Sequence, residues 1–496
     1  MAEGDTSLRR VIKDVAVYSV GDLLLRASAF VTLPIYTRIL TPTDYGIWAY
    51  VTSGVTLISA MLALGGDQTY SRFYFEARTL EARQKLTSTW VTFLLAWSTA
   101  VVVLLLPASG AASQAAFGTQ KWSLLIVLIL LTGPVTLLNI LLGLVVRNEF
   151  RPKLYMTLNI VLTVLTVGLS LLFAVGFDWG ITGLAAGQLV AMCLLVPARV
   201  WYARHLLRPQ FDGRLLRTLL RFALPLVPGT VAWWIFGFSD RIVLAHYSTL
   251  HEVGLYSVAN SATTVLALLV SAVALGWAPH ALRLYEERPE EARILYGRML
   301  TVLIVTFGTL AVVVTTFAHE LLTVFVGREF LGAERAVGPL ALGFVAFATT
   351  QVTSLGMTVR KRTTYLALVA WAAAIVNIVL NLIFVPPYGM VASAWATTAS
   401  FAFITVGYFV IGQRLWPFVV EHRRVLIAST LAFAFTVLAP ALPDFGVAAA
   451  VAVKLVYVGA FAALLLVTRT VDRRELAVAV DAFRRFDPRA LRRAAA

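Results

Sequence analysis

Of 496 residues, 59% are hydrophobic and only 14% charged, with a mean hydropathy of +0.82; a soluble globular chain carries about 25% charged residues, so a water-exposed globule is excluded. The charges are lopsided, 41 Lys and Arg against 26 Asp and Glu for a net +15, which suits nucleic acid, an anionic membrane face or an anionic substrate until the cations are placed. The single cysteine, Cys193, excludes an intramolecular disulfide and a thiolate metal cluster, and MAEGDTSLRR lacks the apolar core of a signal peptide, so the first apolar segment is expected to stay.

About 20 apolar residues at 1.5 Å each cross a hydrocarbon core of roughly 30 Å. Runs of that length predict an all-α polytopic protein of fourteen transmembrane helices. The first, 15–37, carries Asp22 and Arg26 on one helical face. A charge at mid-bilayer costs about 2.5–3.5 kcal/mol on insertion scales, so Arg26 should face the bundle interior, as a ligand for an anionic substrate or as an ion pair with Asp22. The second, 46–66, ends at Asp67 and Arg72, with Tyr70, Phe73, Tyr74 and Phe75 beside them. A guanidinium fork among aromatics suits diphosphate and sugar rings, with Asp67 as the expected partner of Arg72; an interfacial belt has the same composition.

Four further spans follow at 86–107, 122–146, 154–177 and 180–202. Their amides Asn139, Asn159 and Gln188, with Asn260 and Gln351 farther on, are expected to be interhelical hydrogen-bond glue worth about 0.6 kcal/mol each. The seventh span, 222–247, should kink at Pro225 and Pro228 and bears Asp240 and Arg241 toward its outer end, lining a cavity exit or snorkelling to the interface. Next come 253–279, 299–318, 336–358, 364–386 and 389–413. Asn377 and Asn381, at i and i+4 on one face, are the best amides for touching a substrate. The last two spans are 425–442 and 446–468, where Lys454 stands as an uncompensated cation that snorkels or faces a groove. The tail puts Leu476, Val480 and Phe483 on one face among arginines, as an interfacial helix on anionic lipid or a disordered basic tail.

With both termini on the cytoplasmic side, 34 of the 41 cations fall on inward segments and five (Arg38, Lys121, Arg241, Arg328, Arg335) on outward ones. That asymmetry orients the chain N-in and C-in, leaves few cations for a substrate and removes the need for nucleic acid. No connecting segment is long enough for a soluble domain, and no phosphate-binding loop or metal-spaced cluster occurs, so a transporter without cofactors or metal is expected rather than an enzyme.

The sequence also repeats at an offset of 208. Asp44, Gly46, Trp48 and Ser53 align with Glu252, Gly254, Tyr256 and Ser261, and Trp179–Gly180 aligns with Tyr388–Gly389 at 209. Two six-helix lobes are therefore expected, 1–208 and 209–415, followed by two extra spans in 416–469 and a basic cytoplasmic tail at 470–496. Because six is even, the lobes should be related by an axis along the membrane normal, with a site between them.

LPIYTRILTPTDYG (Leu33 to Gly46) and LGGDQTYSRFYFE (Leu64 to Glu76) resemble the start of Wzx-type oligosaccharide flippases, in the polysaccharide-transporter branch of the MOP superfamily. SDRIVLAHYSTLHEVGLYSVA (Ser239 to Ala259) and NIVLNLIFVPPYGMVASAWATTAS (Asn377 to Ser400) resemble that family's seventh and eighth and its eleventh and twelfth helices. Ala392 stands where the family often has Gly. The resemblance implies a bacterial inner-membrane flippase that moves undecaprenyl-diphosphate-linked oligosaccharide outward for lipopolysaccharide, exopolysaccharide or capsule synthesis. It also implies work beside a glycan polymerase and chain-length proteins. A MATE-like drug or cation antiporter and a lipid II flippase are the alternatives. Each sugar hydroxyl stripped of water without a partner costs about 2–7 kcal/mol, so such cargo needs a polar path.

Overall fold

The computed structural model describes residues 32–443 and 447–471; Asp22, Arg26 and the amphipathic tail lie outside them. The described residues are mainly helical, with no strand among them, and twelve of their helices are long and apolar enough to cross a membrane. The protein is an all-α, multi-pass membrane protein. The helices used below are α1 (Pro42–Ala63), α2 (Gly66–Glu76), α3 (Leu80–Leu105), α4 (Ser123–Asn148), α5 (Pro152–Leu171), α6 (Gly180–Ala203) and α7 (Gly213–Ala223). They continue with α8 (Val227–Tyr247), α9 (Leu250–Glu287), α10 (Pro289–Thr316), α11 (Glu334–Thr353), α12 (Thr364–Leu415), α13 (His422–Leu438) and α14 (Val447–Val467).

Helix boundaries follow local chemistry. Thr41 and Asp44 cap each other reciprocally to start α1, and the left-handed Leu64 and Gly65 end it and turn the chain into α2. Pro225 lies in a single 3₁₀ turn, Leu224–Leu226, and Pro228 in the first turn of α8, so the expected kink is a junction between an amphipathic α7 and the membrane helix. The 52 residues of α12 would run about 78 Å unbroken, more than twice the hydrocarbon core. The chain breaks after Pro386 and Pro387 at Gly389, whose φ of 59° and ψ of −140° only glycine adopts readily. The break falls between the expected spans 364–386 and 389–413.

The described residues form two compact units. One comprises the chain up to Ala262 with Phe325–Gly332 and Ala374–Ser393; the other comprises Thr263–Val324, Ala333–Ala373 and the chain from Ala394 on. In the first unit α4 is central, burying Leu125, Leu137, Leu142 and Val145 against its neighbours. In the second, α10 is central, with Tyr296, Leu300 and Phe307 inside a cluster that also holds Trp277 and Trp416.

Within the first unit the starts of α1 and α9 meet. A Cβ added to Gly46 would fall on the Leu250 carbonyl, and one added to Gly254 would fall on the Pro42 carbonyl. Pro42 and Leu250, like Gly46 and Gly254, are 208 residues apart. The contact is reciprocal, as a local two-fold axis through it requires, and only residues without side chains permit it. Gly327 packs the same way on the Thr37 carbonyl, and Phe330 meets Tyr45 edge-on at 5.8 Å. One end of the unit is sealed by backbone against backbone.

Candidate functional site: a buried polar network in the first unit

Four stretches bring polar side chains together. Helix α8 supplies Ser239, Asp240 and Arg241; α9 supplies Tyr256 and Ser257; α12 supplies Asn377 and Asn381 before its break and Ser393 after it. Asp240 is 2% exposed, Arg241 7%, and Asn377, Asn381 and Ser393 are fully enclosed. The doublet expected to snorkel or to line a cavity exit is instead buried in helix packing, because each member finds partners there. The Asp240 carboxylate accepts from the Tyr256 hydroxyl at 2.5 Å and from Asn381 Nδ2 at 3.0 Å. Arg241 donates to the Gly237 carbonyl at 2.5 Å and to Ser257 Oγ at 3.2 Å, and its guanidinium lies 5.5 Å from the Phe238 ring centre.

The amide pair, expected as the best candidates to touch a substrate, is fully enclosed and joins this network. Asn381 Nδ2 also donates to the Asn377 carbonyl at 2.9 Å, Ser393 Oγ donates to Asn381 Oδ1 at 2.7 Å, and Ser239 Oγ donates to Asn377 Oδ1 at 3.3 Å. A carboxylate, two amide oxygens and several hydroxyls thus converge in a low-dielectric setting, a donor set that suits a proton or a hard cation. No group of three or more His, Cys, Asp or Glu with metal-binding geometry occurs among the described residues. The break in α12 is locked onto the same unit: Glu252 accepts from Met390 N–H at 2.9 Å and from Ser248 Oγ at 2.7 Å, and its carboxylate occupies the place a Cβ at Gly389 would take.

Other expected site residues lie apart from this network. Arg72 pairs with Glu76 at 3.3 Å and stacks over Phe222 at 4.9 Å, while Asp67 is exposed. The expected Asp67 partnership fails because five residues turn a helix by about 140°, whereas four bring side chains onto one face. Lys454 is not uncompensated: its ammonium meets Glu320 Oε1 at 2.6 Å in the second unit. Burial acts to raise the Glu320 carboxyl, and the hydrogen bond from Lys454 with the neighbouring charges outweighs it, leaving it below its ordinary value.

Sequence reasoning missed Arg199, which it counted among the loop cations. Arg199 is 3% exposed between α4, α5 and α6 and donates to the Asn139 carbonyl at 3.0 Å and to Asn159 Oδ1 at 2.6 Å. Its guanidinium fits because Gly143 has no side chain there. The signal was present in the two amides, which were read only as interhelical hydrogen-bond glue.

The second unit holds an apolar cavity of ≈ 610 Å³, walled by Leu342, Val345, Trp395, Phe409, Val425 and Phe433.

The sequence profile of the family described as "Polysaccharide biosynthesis protein" matches residues 11–285. No curated protein sequence matches the chain. Among solved structures, the chain is similar to "Lipid II flippase MurJ, inward closed conformation" at 14% identity and a TM-score of 0.68, covering 91% of this chain and 98% of that one. It is similar to an inward-facing "multidrug resistance MATE family transporter of the MOP superfamily" at 16% identity and a TM-score of 0.66, covering 79% and 94%. At such identities the likeness concerns the fold alone, which the chain shares with these two structures. The family match covers more than half of the sequence, and the chain belongs to the polysaccharide biosynthesis protein family.

Proposed function

We propose that this protein is a flippase of the bacterial inner membrane that carries an undecaprenyl-diphosphate-linked oligosaccharide from the cytoplasmic to the outer leaflet by alternating access. The observation that carries the reading is the reciprocal seal of Gly46 and Gly254 in a chain of this family. A backbone-to-backbone contact related by a two-fold axis has no long side chains to disentangle, so it is suited to opening and closing. On this reading 1–208 and 209–415 are two like-oriented lobes, the chain crosses fourteen times with both ends cytoplasmic, and the seal closes the outer side.

Arg26 and Arg72 are then the groups for the diphosphate, with Asp22 holding Arg26. Asp240, Arg241, Asn377 and Asn381 form the switchable polar network, since Asn381 before the α12 break accepts from Ser393 after it and donates to Asp240. A carboxylate that exchanges its hydrogen bonds for a proton or cation would alter the tie, which gives a gradient a place to act. The apolar cavity of the second unit suits a polyprenyl chain.

The test is reconstitution. Vesicles containing the protein and a fluorescent polyprenyl-diphosphate oligosaccharide should pass label to the opposite leaflet, read by accessibility to an added quencher. Arg26→Ala should slow this at equal protein content. Vesicles that fail to move any such glycan yet export cationic dyes would reverse the reading in favour of a drug antiporter, and vesicles that move only lipid II would redirect it to cell-wall precursors.

A further inference from the structure

The second unit contains a groove of ≈ 330 Å³ between the middle of α10, the start of α13 and the end of α14. One wall is a single face of α10, where Arg298, Thr301, Val302, Val305 and Thr309 recur at helical spacing. Opposite it stand Glu421 and Arg424 at the start of α13, and Leu465, Leu466 and Thr470 at the end of α14. The groove has two characters. Its mouth is polar and cationic; its wall runs off over apolar side chains, with Val302 50% and Leu466 40% exposed, where the helices enter the membrane.

The charges do not cancel. Glu421 accepts from Thr301 Oγ1 at 2.7 Å and faces Arg424 at 3.4 Å, so that carboxylate is matched by its neighbour. Arg298 makes no ion pair among the described residues, whose share of the lining is two arginines against one glutamate. Arg423, which reaches the Thr468 carbonyl at 3.5 Å, adds to the field at the same end. A guanidinium takes a phosphate oxygen pair in a fork, and basic pockets between membrane helices are suited to lipid headgroups.

We propose that this groove binds the phosphate-bearing headgroup of an anionic phospholipid, with Arg298 on the phosphate and an acyl chain along Val302, Val305 and Leu466. A soluble anion would use the mouth and ignore the apolar wall; a zwitterionic lipid would leave the excess charge unmet. The site lies wholly within the second unit, is independent of the cargo assigned above, and would make the packing of α13 and α14 on α10 depend on lipid composition.

The experiment is retention of phosphatidylglycerol against phosphatidylcholine by the full chain in detergent, read by native mass spectrometry. The wild type should prefer phosphatidylglycerol, and Arg298→Gln should lower that preference about fivefold. Glu421→Gln should raise it by removing the competing carboxylate. Arg283→Gln, whose partner Glu287 lies outside the groove, should leave it unchanged. Equal retention of both lipids, an unchanged preference in Arg298→Gln, or displacement of the lipid by millimolar inorganic phosphate would overturn the proposal. Should Arg298→Gln fail to fold, an unchanged or lowered preference in Glu421→Gln would do the same.

Discussion

The starts of α1 and α9 lie 208 residues apart in sequence and against one another in the fold, yet they differ in what their acidic caps hold. Thr41 and Thr249 each accept from the backbone N–H three residues on, at 3.2 Å in both cases. Asp44 spends its carboxylate on Thr41. Glu252, one methylene longer, reaches past its own helix end to Met390 N–H and lies against Gly389. The equivalent of Gly389 in the first repeat is Gly180, also at positive φ, and a Cβ there would meet open space. A duplicated motif has thus been differentiated by one side-chain carbon: the second copy's acidic cap reaches the Gly389 break, and no such contact reaches Gly180.

The largest effect should come from filling the shared seal. Gly46→Ala and Gly254→Ala each force a methyl onto a carbonyl, costing about 1–3 kcal/mol of the closed arrangement, and should slow glycan translocation in vesicles about tenfold. The double variant should be little worse than either single one, because the helices need part only once; fully additive losses would show that the two glycines do not share one contact. Next, Gly389→Ala should lower the thermal midpoint in detergent much more than Gly180→Ala. The first adds a collision with Glu252 to backbone strain of about 1–3 kcal/mol, while the second bears only the left-handed penalty of about 1–2 kcal/mol.

A smaller difference separates the caps themselves. Glu252→Asp withdraws the carboxylate from Met390 N–H and should cost about 1.5–3 kcal/mol, whereas Asp44→Glu should stay within about 0.5 kcal/mol, as measured by the same melting curves. Equal costs would erase the asymmetry. The smallest effect belongs to the join between the repeats, where Asp212 caps α7 and meets Lys85 at 2.5 Å. The Lys85 hydrogen bond first, then the Leu215 N–H, hold this exposed carboxyl down at about 2. Its stabilisation is therefore present above the ordinary aspartate range and fades as pH falls through about 2. Asp212→Asn should be felt at neutral pH and vanish in acid, read by amide exchange in α7.

Spans and repeat were legible because both are carried by local pattern: apolar length, Gly46 against Gly254, and Asp44 against Glu252. Asn377 and Asn381 were legible as a pair for the same reason, since four residues on a helix define a face. What was not legible depends on distance along the chain. Asp240 meets Asn381 across 141 residues and Lys454 meets Glu320 across 134, so the first looked like an interfacial doublet and the second like a lone cation. Arg199 escaped because it lies only four residues from the end of α6, where a positive charge normally marks the inner face. Its burial is set by the two other helices, α4 and α5.

Two of the buried charges, Arg199 and Asp240, also differ in when their partners exist. A chain made from its N-terminus delivers Asn139 and Asn159 before Arg199, so that guanidinium can enter the bilayer onto acceptors already in place. Two partners of Asp240 come after it: Tyr256 follows by 16 residues, and Asn381 by 141. Through the synthesis of three further spans its carboxylate lacks the Asn381 amide. Helix α8 therefore gains its bond to α12 late in the making of the protein, whereas the Arg199 cluster can close as soon as α6 is inserted.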